Sequence, residues 1–206
     1  MALHLIDHPL VAHYLTRLRD KTTEPDEFRE ASDKIITLLL YEATRDLRAK
    51  ALPIETPLEK VEGRSMADRV VAVPILRAGL GLVGPVLDLL PQVTVGYIGL
   101  ERDERTAVAS RYYVKLPPDI RGKAVMVLDP MLATGGTASK AVEILKEYQP
   151  ASVRLICVVA APEGIAALQA AHPDVEIFAA AKDRQLNAQK YILPGLGDYG
   201  DRLFGT

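Results

Sequence analysis

The stretch VMVLDPMLATGGTA, Val125 to Ala138, decides the fold. Apolar residues from Val125 to Leu128 run into Asp129, which predicts a buried strand ending in an acid. The loop from Pro130 to Gly136 follows, and a helical pattern begins at about Thr137. A strand that delivers a carboxylate beside a Gly-rich loop and a helix N-terminus suits a sugar phosphate. Loop N–H groups and the helix dipole attract the phosphate dianion, while the carboxylate accepts hydrogen bonds from ribose hydroxyls.

The pattern repeats on both sides. Apolar runs at Val70–Leu76, Val93–Leu100, Arg111–Leu116, Val153–Ala161 and Val175–Ala180 predict five more strands. Helical segments are expected over Ala78–Leu90, from the loop to Tyr148, and over Pro162–Ala171. Continuous apolar strands separated by helices indicate an α/β fold with a mostly parallel sheet covered on both faces. Ligands in such sheets bind outside the carboxyl ends of the strands, near the switch in strand order. Upstream, residues 1–24 read as an extended arm and a short helix from about Pro9. From Glu24 to about Arg48, Phe28, Ala31, Ile35, Leu39, Ala43 and Leu47 recur at helical spacing, a long amphipathic helix. Glu55–Glu62, with its prolines and charges, reads as an irregular or edge segment. One domain over residues 1–206 accommodates all of this.

Composition narrows the class. Hydrophobic residues at 49% and charged residues at 25% are ordinary for a globular protein. A net charge of −2 argues against a broad nucleic-acid footprint. The one cysteine, Cys157, lies in the run VRLICVVAA and reads as a packed strand residue. No apolar run approaches the ~20 residues that span a bilayer, and no signal peptide is visible, so a cytoplasmic location is expected. The four histidines, His4, His8, His13 and His172, show no metal-ligand spacing and are assigned to surface or packing roles. Tyr112 and Tyr113 read as half-buried strand residues.

Three loops after predicted strand ends carry polar residues that the fold does not need. In PILRAGLG, Arg77 is flanked by Gly79, Gly81 and Gly84, which permit close backbone approach and suggest an anion-binding turn. Arg102, Asp103, Glu104 and Arg105 form a charge cluster within a polar segment, Glu101–Ser110, that reads as a solvated hairpin or a lid. The third is the DPMLATGGT loop. It lacks the Lys of a Walker loop and the glycine spacing of a dinucleotide fingerprint, which removes both readings. The C-terminal KYILPGLGDYGDRLFGT has no helix or strand period, yet Tyr191, Ile192, Leu193, Leu203 and Phe204 are too apolar for a frayed tail.

With Asp129 in front, the DPMLATGG loop resembles the phosphoribosyl diphosphate motif of type I phosphoribosyltransferases, in the version with Pro130 as second residue that uracil phosphoribosyltransferases carry. The C-terminal segment, from about residue 183 to 206, resembles the uracil-binding hood of the same family. PILRAGLG, Arg102–Asp103, YYVKLP, AAPEG (Ala160–Gly164) and the N-terminal DHPL match as well. The resemblance spans essentially the whole chain. Two features depart from it: Tyr199 stands where the hood has a small residue, and Ala107, Val108 and Ala109 sit where the lid is more polar.

The resemblance implies the reaction of uracil with 5-phospho-α-D-ribose 1-diphosphate to give UMP and diphosphate. It implies that main-chain amides and hydroxyls of Ala133, Thr134, Gly135, Gly136 and Thr137 hold the 5′-phosphate, that Pro130, Met131 and Leu132 belong to the same phosphoribosyl diphosphate site, and that Asp129 orients the ribose. Arg77 and Arg102 neutralise the diphosphate, and Asp198 contacts the same substrate. Mg²⁺ is held mainly through substrate oxygens and water, with no direct protein ligand assigned. Asp129, Arg102 and Asp198 are the expected catalytic residues. Gly197, Asp198 and Tyr199 supply backbone N–H donors to uracil, and the Ile192 carbonyl accepts. The apolar faces of the arm and long helix exceed one sheet's needs, which with the family expectation predicts a homodimer or higher homo-oligomer. Activation by a nucleotide such as GTP occurs in some relatives. Transfer to another oxo-base, kept open by Tyr199, and an RNA-binding pyrimidine regulator on the same fold are the alternatives.

Overall fold

The computed structural model describes residues 3–102 and 109–206, with Arg102 and Ala109 described by backbone alone. Among these residues the chain runs β1 (Leu3–Leu5), α1 (Pro9–Arg19), α2 (Pro25–Ala43), β2 (Ala49–Glu55), β3 (Lys60–Met66) and β4 (Val70–Leu76). A 3₁₀ turn (Ala78–Leu82) leads into α3 (Val83–Leu89), then β5 (Thr94–Val95), β6 (Tyr97–Arg102), β7 (Ala109–Lys115), β8 (Ala124–Leu128) and β9 (Met131–Leu132). The rest is α4 (Gly136–Lys146), β10 (Ser152–Ala160), α5 (Pro162–Ala171), β11 (Glu176–Lys182), β12 (Gln185–Leu186), β13 (Ile192–Leu193) and α6 (Tyr199–Phe204).

The central sheet has the order β1-β11-β10-β8-β4-β6-β7, with β5 also on β4 and β9 on β10. Every pairing in it is parallel except β6–β7. The mixed α/β architecture with a mostly parallel sheet is as expected, with β7 as an antiparallel edge. From β4 the chain builds outward through β6 and β7, then crosses to β8 and builds the other way through β10 and β11. The switch in direction therefore lies between β4 and β8, which pair with Val70 opposite Ala124 and Pro74 opposite Leu128. Ligand crevices open at such points.

Two apolar layers flank the sheet. On one side α2 lays Phe28, Ala31, Ile35, Ile36, Leu39, Leu40 and Ala43 against Ala72, Met126, Leu128 and Ile156. On the other, Ala138, Ala141, Val142, Ile144 and Leu145 of α4 pack with Val71, Val73, Val125 and Val127. Burying each large aliphatic side chain contributes roughly 1.5–3 kcal/mol, so these two seams dominate the stability of the sheet. Cys157 is fully buried in the second layer, and burial pushes its thiol pKa up.

Three local expectations are corrected. The long helix stops at Ala43 and does not reach Arg48. The reason is a long-range ion pair: Arg154 of β10 donates to the Ala43 carbonyl and grips Asp46, with Nη1 2.7 Å from Oδ1. Asp46 is thereby drawn out of the helical path, and the Leu47 periodicity continues without a helix. Glu55–Glu62 is the tip of a regular hairpin, β2 on β3, in which Thr56 and Glu59 close the turn. The C-terminal segment, whose sequence shows no helix or strand period, holds both: β12 pairs with β13, and α6 starts at Tyr199 under an Asp198 cap whose Oδ1 accepts the Asp201 N–H at 2.9 Å. Tyr112 and Tyr113 are 53% and 43% exposed, in keeping with half-buried positions on an edge strand. Within β10, the buried Cys157 will not react with a water-soluble disulfide reagent in the native protein. One thiol per chain is expected to titrate only after denaturation; fast native-state reaction would contradict this placement.

Candidate functional site

The loops that follow β4, β8 and β11 leave the sheet at the same edge, because these strands run parallel. At the end of β4 the Leu76–Arg77 peptide is cis, and Arg77 is exposed. The next turn presses onto the sheet: a β-carbon on Gly79 would collide with the Leu128 carbonyl, so only glycine lets this turn lie across β8. At the end of β8, Asp129 is partly buried, and its Oδ1 stands 3.4 Å from the Met131 amide nitrogen.

The loop after Asp129 divides by burial. Pro130 is buried, and its carbonyl accepts from Val158 and Val159 of β10. Leu132 is 1% exposed in the core. These two side chains anchor the loop, whereas Met131, Ala133, Thr134 and Thr137 are partly exposed and Gly136 is open. Gly135 has φ +82°, a conformation that disfavours a side chain. A β-carbon there would also sit 2.8 Å from the Gly164 carbonyl, and one on Gly164 would collide with the Ala133 carbonyl. The first turn of α5 therefore backs the loop directly.

The C-terminal segment folds over from the opposite side. Glu163 of α5 accepts the Leu186 N–H at 2.9 Å, and that amide holds its carboxyl below the ordinary range. Arg202 of α6 reaches back to the end of α1 and the turn after it. It donates to the carbonyls of Leu18 and Asp20, also to that of Leu196 at 2.9 Å, and lies 4.6 Å from the Phe28 ring centre. Met131 and Ala133 of the loop meet Gln189, Lys190, Tyr191, Ile192, Gly197, Asp198 and Tyr199 around a single cavity of about 320 Å³. Six residues expected on sequence grounds thus line it. Arg77, Asp129, Thr134, Gly135, Gly136 and Thr137 are not among its lining residues, and the Arg102 side chain and Asp103–Val108 lie outside the described residues. Gln189, Lys190 and Tyr191 were not anticipated; the cation at Lys190, beside the hood glycines, was the available signal. A second cavity, lined by Lys50, Arg69, Leu89 and Pro91, lies by Val70 at the amino end of β4, away from these loops.

The Tyr199 side chain packs into the core. It is 1% exposed, meets Phe28 edge-on at 5.3 Å, and its hydroxyl pairs with that of the buried Ser32 on α2. Burial pushes the phenol pKa up. Residues 197–199 thus line the cavity, and the Tyr199 ring packs against Phe28 in the core.

The family model for uracil phosphoribosyltransferase matches residues 5–206. The chain belongs to the uracil phosphoribosyltransferase family. Uracil phosphoribosyltransferases of Lacticaseibacillus paracasei and Dictyoglomus turgidum are each 53% identical over 203 residues, 98% of this chain and 97% and 98% of theirs. A solved protein from Aquifex aeolicus superposes with TM-score 0.94 at 35% identity, covering 100% of this chain and 99% of its own. A hypoxanthine-guanine phosphoribosyltransferase from Bacillus anthracis shares the fold at 13% identity and TM-score 0.53, over 77% of this chain and 80% of its own. The fold is that of the type I phosphoribosyltransferases, and the family is one of pentosyltransferases.

The position of Tyr199 sets a test within this family. Tyr199→Phe, which leaves the Ser32 hydroxyl without its partner, is expected to cost about 1–2 kcal/mol in urea unfolding. Tyr199→Ala is expected to cost about 3–5 kcal/mol, as for a large buried aromatic. An unchanged unfolding midpoint in both variants would place the ring elsewhere.

Proposed function

We propose that the protein transfers the phosphoribosyl group of 5-phospho-α-D-ribose 1-diphosphate to uracil, giving UMP and diphosphate, a pyrimidine-salvage reaction. One observation carries this reading: the loop after Asp129 and the C-terminal hood, predicted separately to bind sugar phosphate and base, line the same cavity. Its volume falls in the range of small-molecule sites.

Breaking the anomeric bond develops positive charge on the ribose and negative charge on the leaving diphosphate. Catalysis therefore needs orientation of the sugar and cations at the diphosphate. In this reading amides and hydroxyls of Ala133–Thr137 hold the 5′-phosphate, with Pro130 and Leu132 contributing as buried anchors, and Asp129 orients the ribose hydroxyls. Arg77 and Arg102 neutralise the diphosphate. Uracil is read by N–H groups at Gly197–Tyr199 and by the Ile192 carbonyl. A dissociative path makes deprotonation of the base less demanding and dispenses with a side-chain base. Asp129 follows β8 and Asp198 caps α6, two carboxylates on different elements. Such a donor set fits Mg²⁺ carried mainly by substrate oxygens and water, with one or two carboxylates nearby. The ion would supply charge neutralisation at the diphosphate. The packing of the Tyr199 ring in the core supports uracil over another oxo-base.

The same reading includes a homodimer built through the β2–β3 hairpin. Leu52, Ile54 and Val61 are each about 44–45% exposed, and Leu58 at its tip is 94% exposed. Leu52 and Ile54 share a face, with Val61 paired to Ile54. An isolated hairpin is marginal in water, so a second copy is the natural cover. Among the described residues no helix is long and apolar enough to cross a membrane.

With Mg²⁺ and phosphoribosyl diphosphate, a base panel is expected to release diphosphate with uracil. Cytosine, whose amino group would leave a backbone N–H unpaired, should be weaker by about 5- to 150-fold. No uracil turnover would sink the reading, and activity undiminished in excess chelator would remove the metal from it. Sedimentation of the Leu52→Asp, Ile54→Asp double variant should shift the protein from dimer to monomer; an unchanged sedimentation coefficient would place the interface elsewhere.

A further inference from the structure

Asp183, just beyond the end of β11, is 7% exposed and meets Arg19, the last residue of α1. Arg19 Nη2 donates to Asp183 Oδ1 at 2.5 Å and Nη1 donates to Oδ2 at 2.9 Å. Both partners also hold Gly195. Asp183 Oδ2 accepts the Gly195 N–H at 2.8 Å, and Arg19 Nη1 donates to the Gly195 carbonyl at 2.7 Å. One residue in the hood is thus gripped at both of its backbone polar groups by a charged pair. Charge-assisted bonds of this kind are the strong ones, and a bidentate guanidinium fixes direction as well as distance.

What Gly195 touches gives this grip a consequence. Gly195 has φ +64°, and a β-carbon on it would collide with the Ile192 carbonyl oxygen. Its backbone therefore lies directly against that carbonyl, the group assigned above to accept from the base. Leu196 follows and leads into Gly197–Tyr199. We infer that Arg19 and Asp183 are positioning residues for the base, fixing the Ile192 carbonyl and the donors at 197–199 through Gly195. This inference rests on the assignment of those groups to uracil. Neither residue lines the cavity, so each acts through Gly195.

A purely structural staple between α1 and the hood is the competing account, and the molecule separates the two. Arg202 already ties the hood to the Leu18, Asp20 and Thr23 carbonyls and to that of Leu196. Loss of Arg19 leaves this second tie in place, which makes its removal a local change at Gly195.

The experiment uses the full chain with Arg19→Lys, Arg19→Ala and Asp183→Asn, measuring initial rates against uracil and against phosphoribosyl diphosphate, with thermal unfolding alongside. Arg19→Ala and Asp183→Asn are expected to raise KM for uracil about 10- to 100-fold, with KM for phosphoribosyl diphosphate within about twofold of wild type. Arg19→Lys, with one ammonium in place of a fork, should fall between. The Arg19 side chain is 25% exposed, so added guanidinium has access and should lower the uracil KM of Arg19→Ala. Unchanged KM for uracil with a lowered melting temperature would overturn the inference, as would equal rises in both KM values. If Arg19→Ala fails to fold, Arg19→Lys and Asp183→Asn carry the same KM comparison. Failure of the uracil reading itself would show in the wild-type protein, before any variant is compared.

Discussion

The in-register pairing of β4 with β8 is the constraint on which the site depends. Each strand ends at the same edge of the sheet, one before Arg77 and the other before Asp129. Because the chain then builds away from this pair in opposite directions, no crossover helix covers the gap between them. Gly79 seals its floor by lying on the Leu128 carbonyl. Apolar burial on both faces of the sheet makes a slip of register costly, since every side chain would change face. The separation of the cationic turn from the acidic loop is therefore set by the strongest part of the fold.

Onto this rigid edge the chain adds a part made differently. The hood has only two short strands and one short helix, and it is held by side chains that reach far along the sequence: Arg19 to Asp183, Arg202 to the end of α1 and the turn beyond it, Tyr199 to Ser32. Polar fastening of this kind suits a segment that, in the proposed reading, presents backbone groups to a small planar ligand. The cost of burying Asp183 or the Tyr199 hydroxyl is met by a partner in each case.

How much was legible in the sequence follows from the same division. The strands of the central sheet are short continuous apolar runs, and their order along the chain implied a parallel sheet before any geometry was known. The Asp129 loop was legible because glycines, an acid and a strand end occur within a dozen residues. The end of α2 was not, because Arg154, more than a hundred residues away, decides it. The β2–β3 hairpin escaped notice because Pro53 and the charges near its tip disguise the alternation of Leu52, Ile54 and Val61. Tyr199 was legible as a departure from the family pattern, but its direction was not, since the Ser32 that receives it sits on a separate helix. Arg19 and Asp183 gave no local signal at all.

Gly135 and Gly164 stand at the back of the loop after Asp129: a side chain at 135 would meet the Gly164 carbonyl, and one at 164 would meet the carbonyls of Ala133 and Leu132. Variation at this loop is consequently not independent. A residue larger than glycine at 164 would push the Ala133 carbonyl, and one at 135 would push the start of α5. Any descendant or designed form with a reshaped loop must first move the start of α5. Evolutionary access to new shapes of this loop is thus governed from behind it, at the first turn of a helix.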